Sequence, residues 1–165
     1  VGKSSLINAL TNRKTLARTS NTPGRTQHIN FFSLASVLML ADLPGYGFAK
    51  ASKGEIERWT QLIFDYLRGR PCLRRICLLI DARHGLKDAD NQVMKDLDEM
   101  AVSYQIVLTK CDKVKDEHLI AVMKKTEKQL ATHVAAHPTI FQTSSSKGIG
   151  IELLRAELAM IADIR

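Results

Sequence analysis

Two periodicities alternate along the chain. Short runs of apolar and β-branched residues at Phe31–Leu34, Val37–Ala41, Ile76–Ile80, Gln105–Leu108 and Thr139–Phe141 have the length and composition of strands. Between them, apolar residues recur at helical spacing. Ile56, Trp59, Leu62, Ile63 and Tyr66 share one face, as do Val93, Met94, Leu97 and Met100, and then Leu119, Ile120, Met123 and Leu130. Asp88 or Asp90, Asp116 and Gly150 stand where such helices should begin. Alternating strand and helix predicts an α/β fold, a mostly parallel sheet with helices on both faces and ligands beyond the carboxyl ends of its strands. The link between the first two runs is too short for a crossover, so one edge strand is expected to be antiparallel.

Composition adds bounds rather than detail. The 165 residues are expected to form a single domain, 1–165, and no run approaches the roughly 20 apolar residues of a membrane span. With no charged-then-apolar leader, a cytoplasmic location is expected. Cys72, Cys77 and Cys111 lack metal-ligand spacing and read as reduced thiols, so zinc is not indicated. A formal charge of +7 favours an anionic partner. The chain ends at Ile164-Arg165, soon after its last helix, with no appended RNA-binding module expected.

Four segments carry chemistry, each at the end of an expected strand or the start of a helix. Val1-Gly2-Lys3-Ser4-Ser5, running into Leu6-Ile7-Asn8-Ala9-Leu10, matches the tail of the phosphate loop G-x-x-x-x-G-K-[ST] and its helix. In that loop Lys3 would neutralise β/γ-phosphate oxygens and the Ser4 hydroxyl would ligate Mg²⁺. Asp42-Leu43-Pro44-Gly45 is a D-x-x-G element, in which Asp42 would hold Mg²⁺ through water and the Gly45 N–H would meet the γ-phosphate. Thr109-Lys110-Cys111-Asp112 matches the guanine-reading [NT]-K-x-D motif. The Asp112 carboxylate can accept from guanine N1–H and N2–H₂, whereas adenine has no 2-amino donor. Thr143-Ser144-Ser145 matches the fifth element, whose backbone N–H meets guanine O6; taken alone, such a Ser-rich loop is equally an N-cap.

Ser20 to Phe32 then makes a family resemblance specific. Pro23-Gly24-Arg25-Thr26-Gln27 before Ile29-Asn30-Phe31-Phe32, and Asp42-Leu43-Pro44-Gly45-Tyr46-Gly47-Phe48-Ala49-Lys50, resemble switches I and II of the EngB/YsxC/YihA family. These are ribosome-assembly GTP-binding proteins among the TrmE-Era-EngA-EngB-Septin-like GTPases. Tyr66-Leu67-Arg68-Gly69-Arg70 and Asp81-Ala82-Arg83-His84-Gly85-Leu86-Lys87 match as well. The resemblance implies a P-loop, Ras-like G domain that binds GTP and GDP with Mg²⁺, hydrolyses GTP and acts on a large ribosomal subunit precursor of rRNA and proteins. It also implies a link to septation in cell division; a monomer is expected. Carried over, Thr26 engages Mg²⁺ and the γ-phosphate with Gly24 and Arg25 beside it, Gly45 is the switch II hinge, and Ser4, Thr26 and Asp42 form the metal set.

Ras-like enzymes place a glutamine after the D-x-x-G glycine to orient the attacking water, whereas this chain has Tyr46. Slow intrinsic hydrolysis is therefore expected, since such parts are worth about 10³–10⁵ in rate. Relatives with an aromatic residue there can use K⁺ held by a phosphate-loop asparagine, or a ribosomal partner. His28 and His84 are not assigned as bases. Arg68, Arg70, Arg74 and Arg75 cluster where RNA contact is expected, while Lys124, Lys125 and Lys128 read as a solvated face. Two alternatives stay open, a GTP/GDP-gated scaffold that does not hydrolyse and a P-loop phosphotransferase with another acceptor. The family fold also needs a central strand before the phosphate loop, between Val37–Ala41 and Ile76–Ile80. That strand is absent from this sequence, so the fragment alone is expected to bind nucleotide poorly.

Overall fold

The computed structural model describes residues 2–13, 29–34, 38–45, 53–68 and 70–163. In chain order these form α1 (Lys3–Leu10), β1 (Asn30–Leu34), β2 (Leu38–Asp42), α2 (Lys53–Leu67), β3 (Ile76–Asp81), α3 (Asp88–Glu99), β4 (Tyr104–Thr109), α4 (Asp116–Leu130), β5 (Phe141–Gln142) and α5 (Ile151–Asp163). β3, β4 and β5 make a parallel ladder, with Asp81 opposite Thr109 and Leu108 opposite Gln142. β1 and β2 pair antiparallel, Phe31 opposite Ala41, as the short link requires. Among the described residues no ladder joins β2 to β3.

The period of two in the strands divides the core between two faces. Leu78, Ile80, Ile106 and Leu108 point to one side, against Leu67 of α2, Met94 and Leu97 of α3 and Leu130 of α4. Val107, with Cys77 and Leu79 at its edge, points to the other, against Leu6 and Leu10 of α1 and Leu154, Leu158 and Ile161 of α5. Every residue of β4 is buried, as a central parallel strand demands. Gln105 lies fully buried there because Arg75 donates to its carbonyl at 2.9 Å and its amide donates to the Thr139 carbonyl at 3.1 Å. From α5, Arg155 donates to the Leu10 carbonyl at 2.8 Å, placing a cation at the carboxyl end of α1, where the last carbonyls lack helical partners.

Several boundaries differ from the sequence reading. β5 covers Phe141–Gln142 rather than Thr139–Phe141, because the Thr139 carbonyl is spent on Gln105 instead of a ladder. β2 begins at Leu38; Val37 lies outside the described residues. α3 takes Lys87 as its N-cap, with Asp90 accepting from the Lys87 N–H at 2.7 Å. In α4, Ile120 is 54% exposed, and Val122 joins Leu119 and Met123 on the buried side instead. Ile56 and Trp59 belong to α2, but their side chains lie outside what is described. No helix of the described residues is long and apolar enough to cross a membrane.

Candidate functional site

The carboxyl ends of β2, β3, β4 and β5 deliver the sequence-selected residues to one end of the molecule. Gly2 turns into α1 with φ +91°, a left-handed conformation that disfavours a side chain. A Cβ built on Gly2 would stand 3.7 Å from Lys110 Cε, so the phosphate-loop end adjoins the loop after β4. Lys3 Nζ forms an ion pair with Asp42 Oδ1, and the Asp42 carboxylate is buried at the end of β2. Ser4 and Ser5 are half-buried in the first turn of α1. Leu43 packs on the α2–α4 side of the core, Pro44 is buried beside it, and Gly45 follows, half-buried. Val1, Gly24, Arg25, Thr26, His28 and Tyr46 lie outside the described residues.

The loop after β4 is held from three directions. Thr109 is buried, its hydroxyl 3.4 Å from the Ile80 carbonyl. Lys110 adopts φ +58°, which turns the chain into a single 3-10 turn over Cys111–Lys113. The Cys111 N–H donates to the Thr143 carbonyl at 3.1 Å, and burial raises its thiol pKa above the ordinary value. Asp112 accepts from the Ser144 hydroxyl at 2.6 Å and from Ser146 at 3.3 Å. The Ser144 bond is the main reason its carboxyl is held below the usual carboxylate pKa, with Lys113 at 3.4 Å assisting against a smaller opposing effect of burial.

The loop after β5 is tied to the same place. Thr143 is fully buried, its N–H and hydroxyl both donating to the Leu108 carbonyl at 2.8 Å. Ser144 is fully buried too, and its hydroxyl also accepts from the Lys147 N–H at 3.2 Å. That bond closes a turn rather than capping a helix, because α5 begins only at Ile151; the N-cap role open to Ser144 on sequence grounds is not taken up, and its hydroxyl serves Asp112 instead. Ser145 is half-buried between them.

Asp81, at the carboxyl end of β3, was not among the sequence-selected site residues. Its carboxylate accepts from Lys110 Nζ at 3.0 Å and from Arg83 Nε and Nη2 at 2.9 and 2.7 Å. Burial alone would raise its pKa, but the Arg83 and Lys110 cations and the Arg83 N–H outweigh that and hold it far below the usual range. Its signal in the sequence was positional, an acid closing the strand next to the Thr109 strand. Hard oxygen donors suit Mg²⁺. The buried Asp42 carboxylate, paired here with Lys3, and the Ser4 hydroxyl two positions into the same helix turn are the described groups that could hold it.

Comparison with known proteins bears on the same residues. The family model for a 50S ribosome-binding GTPase matches residues 1–110, and that for the elongation factor Tu GTP-binding domain matches residues 67–163. A protein named probable GTP-binding protein EngB in Rhodospirillum rubrum is 62% identical over 98% of this chain and 72% of its own length. Its namesake in Gluconobacter oxydans is 56% identical over 98% of this chain and 71% of its own. Among solved structures, Era in complex with MgGDPNP and nucleotides 1506-1542 of 16S ribosomal RNA superposes with TM-score 0.72 at 19% identity, over 98% of this chain and 52% of Era. Elongation factor SelB from Methanococcus maripaludis, in complex with the GTP analogue GPPNHP, gives 0.68 at 20%, over 99% of this chain and 31% of SelB. These structural likenesses speak to the fold, a P-loop GTPase α/β architecture.

Proposed function

The chain belongs to the EngB family of GTP-binding proteins, and from that premise we propose that it hydrolyses GTP to GDP and phosphate as a switch in assembly of the large ribosomal subunit. The observation that carries the reading is the oriented Asp112 carboxylate, held toward its charged form, on a loop whose Lys110 stem lies beside Gly2. That arrangement supports one nucleotide spanning both loops, its guanine on Asp112 and its phosphates on the start of α1. Thr109, Lys110 and Cys111 would frame the base, and the backbone of Thr143, Ser144 and Ser145 would meet guanine O6.

In this reading Lys3 leaves Asp42 for the β- and γ-phosphates when nucleotide enters, which frees the carboxylate. Gly2, Ser4 and Ser5 offer N–H groups at the helix start, where anions are favoured. Ser4, Thr26 and Asp42 would hold Mg²⁺, which when bound neutralises charge on the phosphate oxygens. Val1, Gly24 and Arg25 complete the cradle, while Leu43 and Pro44 carry Gly45 to the γ-phosphate, whose loss would release Thr26 and Gly45 together. A role in septation would follow from ribosome supply. The protein is proposed to act as a cytoplasmic monomer.

Base selection is tested by Asp112→Asn, expected to weaken GTP binding and improve xanthosine triphosphate binding; unchanged GTP affinity would refute the assignment. Tyr46 favours a second reading, a GTP/GDP-gated scaffold without turnover. Phosphate release with and without 50S particles, in K⁺ and in Na⁺, separates the two: release stimulated by either supports the enzyme, and none under any condition supports the scaffold.

A further inference from the structure

A cleft at the amino ends of β3 and β4 lies at the opposite end of those strands from Asp81 and Thr109. Its volume is about 250 Å³, and Arg70, Arg74, Leu67, Leu73 and Val102 line it. Beside it the Arg70 guanidinium lies 4.0 Å from the centroid of the Tyr66 ring and 5.8 Å from that of Phe31. The two rings are 6.1 Å apart. Arg70 is exposed and Phe31 is 47% exposed, while Tyr66 is half-buried under Arg70, so the stack meets solvent through Arg70 and Phe31. Arg68 and Arg74 are exposed as well, and among the described residues none of these three arginines pairs with a carboxylate. No acid among the described residues lines the cleft, and the described hydrogen bonds of Asp65 and Asp98 go to Gln61 and to His133 and the Ala135 N–H.

Arginines without carboxylate partners around an exposed ring and an exposed, ring-backed guanidinium combine the two requirements of single-strand binding. Cations track the phosphates, and planar groups take the faces of unpaired bases. A duplex hides those faces, so it could use the arginines but not the rings. We propose that Phe31, Tyr66 and Arg70 form a stacking platform which, with Arg68 and Arg74 on the phosphates, grips an unpaired RNA segment of the ribosomal precursor. The inference rests on the ribosomal half of the proposed function and adds to it the place and form of the RNA.

The test uses the intact protein and its Phe31→Ala, Arg70→Lys and Arg74→Ala variants. Each is titrated with a fluorescein-labelled single-stranded oligoadenylate and with duplex RNA of matching length, over a range of salt concentrations. GTP affinity, measured in parallel, should be unchanged in Arg70→Lys and Arg74→Ala, which lie outside the switch segments. Phe31→Ala and Arg70→Lys should weaken single-strand binding roughly fivefold or more, the loss of one stacked base, with the salt slope unaltered. Arg74→Ala should instead reduce the salt slope by about 0.7. Equal losses on duplex and single strand would overturn the platform, as would wild-type affinity in Phe31→Ala and Arg70→Lys; either leaves the guanine site and ribosomal reading standing. Failure of the wild-type protein to bind either RNA would also overturn the platform, while the ribosomal reading would still stand or fall on phosphate release with 50S particles.

Discussion

The Ser144 hydroxyl donates to the Asp112 carboxylate at 2.6 Å, joining the loops after β4 and β5 across the proposed base site. The bond aims an acid that otherwise could rotate, and it favours the charged form. Replacing Ser144 with Ala should lower guanine nucleotide affinity on the order of tenfold, the scale of one hydrogen bond to a charged group. The sign of the pH effect follows from the depressed pKa. With Ser144 in place, Asp112 stays ionised to lower pH, so the acid limb of the binding profile should move to higher pH in the variant. Fluorescent GDP titrations across the acid range measure both, and an unmoved limb would contradict the role given to Ser144.

Asp81 is held by Lys110 and Arg83, so it should matter to both stability and base recognition. Its folded-state pKa lies below the unfolded value, so its contribution is complete above about pH 5 and is lost as pH falls from the unfolded carboxylate value near 3.9 down through the lower folded one. Asp81→Asn should therefore cost about 1 kcal/mol at neutral pH, given a half-exposed Arg83 partner, and should flatten the acid limb of stability. Freed from Asp81, the Lys110 stem loses its anchor, so GDP affinity should fall several-fold. Denaturant titrations of the wild type and variant across pH test the first expectation; GDP binding tests the second.

The Lys3–Asp42 ion pair places a phosphate-neutralising cation against the carboxylate proposed for the metal. Chelating Mg²⁺ should accelerate GDP release from the wild-type protein by about tenfold or more. Asp42→Asn should already release GDP quickly and respond little to chelator. Stopped-flow release of a fluorescent GDP makes the comparison, and a full chelator response in the variant would remove Asp42 from the metal set.

Where the sequence succeeded, its signals were local and chemically sharp. The β4 run was legible from its short apolar and β-branched stretch at Gln105–Leu108, which the structure extends to Tyr104–Thr109 with every residue buried. Thr109 to Asp112 and Thr143 to Ser145 were legible as motifs before their mutual hydrogen bonds could be known. Asp81 was not, because its role depends on β3 lying beside β4, a pairing that no local pattern encodes. Ile120 misled for a related reason: on a helix wheel it borders the apolar face, and only the packing of α4 shows Val122 chosen in its place. The β5 boundary shifted because the buried Gln105 amide needed an acceptor and took the Thr139 carbonyl.

The loop carrying Ser144 closes on Gly150, which has φ +71° at the entrance to α5. A Cβ there would lie 1.9 Å from the Gln142 carbonyl oxygen and 3.1 Å from the Gln142 carbonyl carbon. Neither partner can withdraw cheaply. Gln142 belongs to β5 and the Thr143 N–H is fixed to Leu108, while the Ser144 N–H to Ile149 carbonyl bond of 2.9 Å fixes the other side of the loop. Gly148 supplies a control within the same loop, since it has φ +70° but nothing within 4 Å of an added Cβ. Gly148→Ala should therefore cost only the left-handed backbone penalty of about 1–2 kcal/mol. Gly150→Ala should cost clearly more than that, because the clash adds to the same penalty, and any refolded protein should bind guanine nucleotide weakly, since moving Gln142 displaces Ser144 from Asp112. Paired denaturant and GDP titrations on both variants test this directly, and equal losses at the two glycines would mean that the contact with Gln142 does not hold the base-site loop in place.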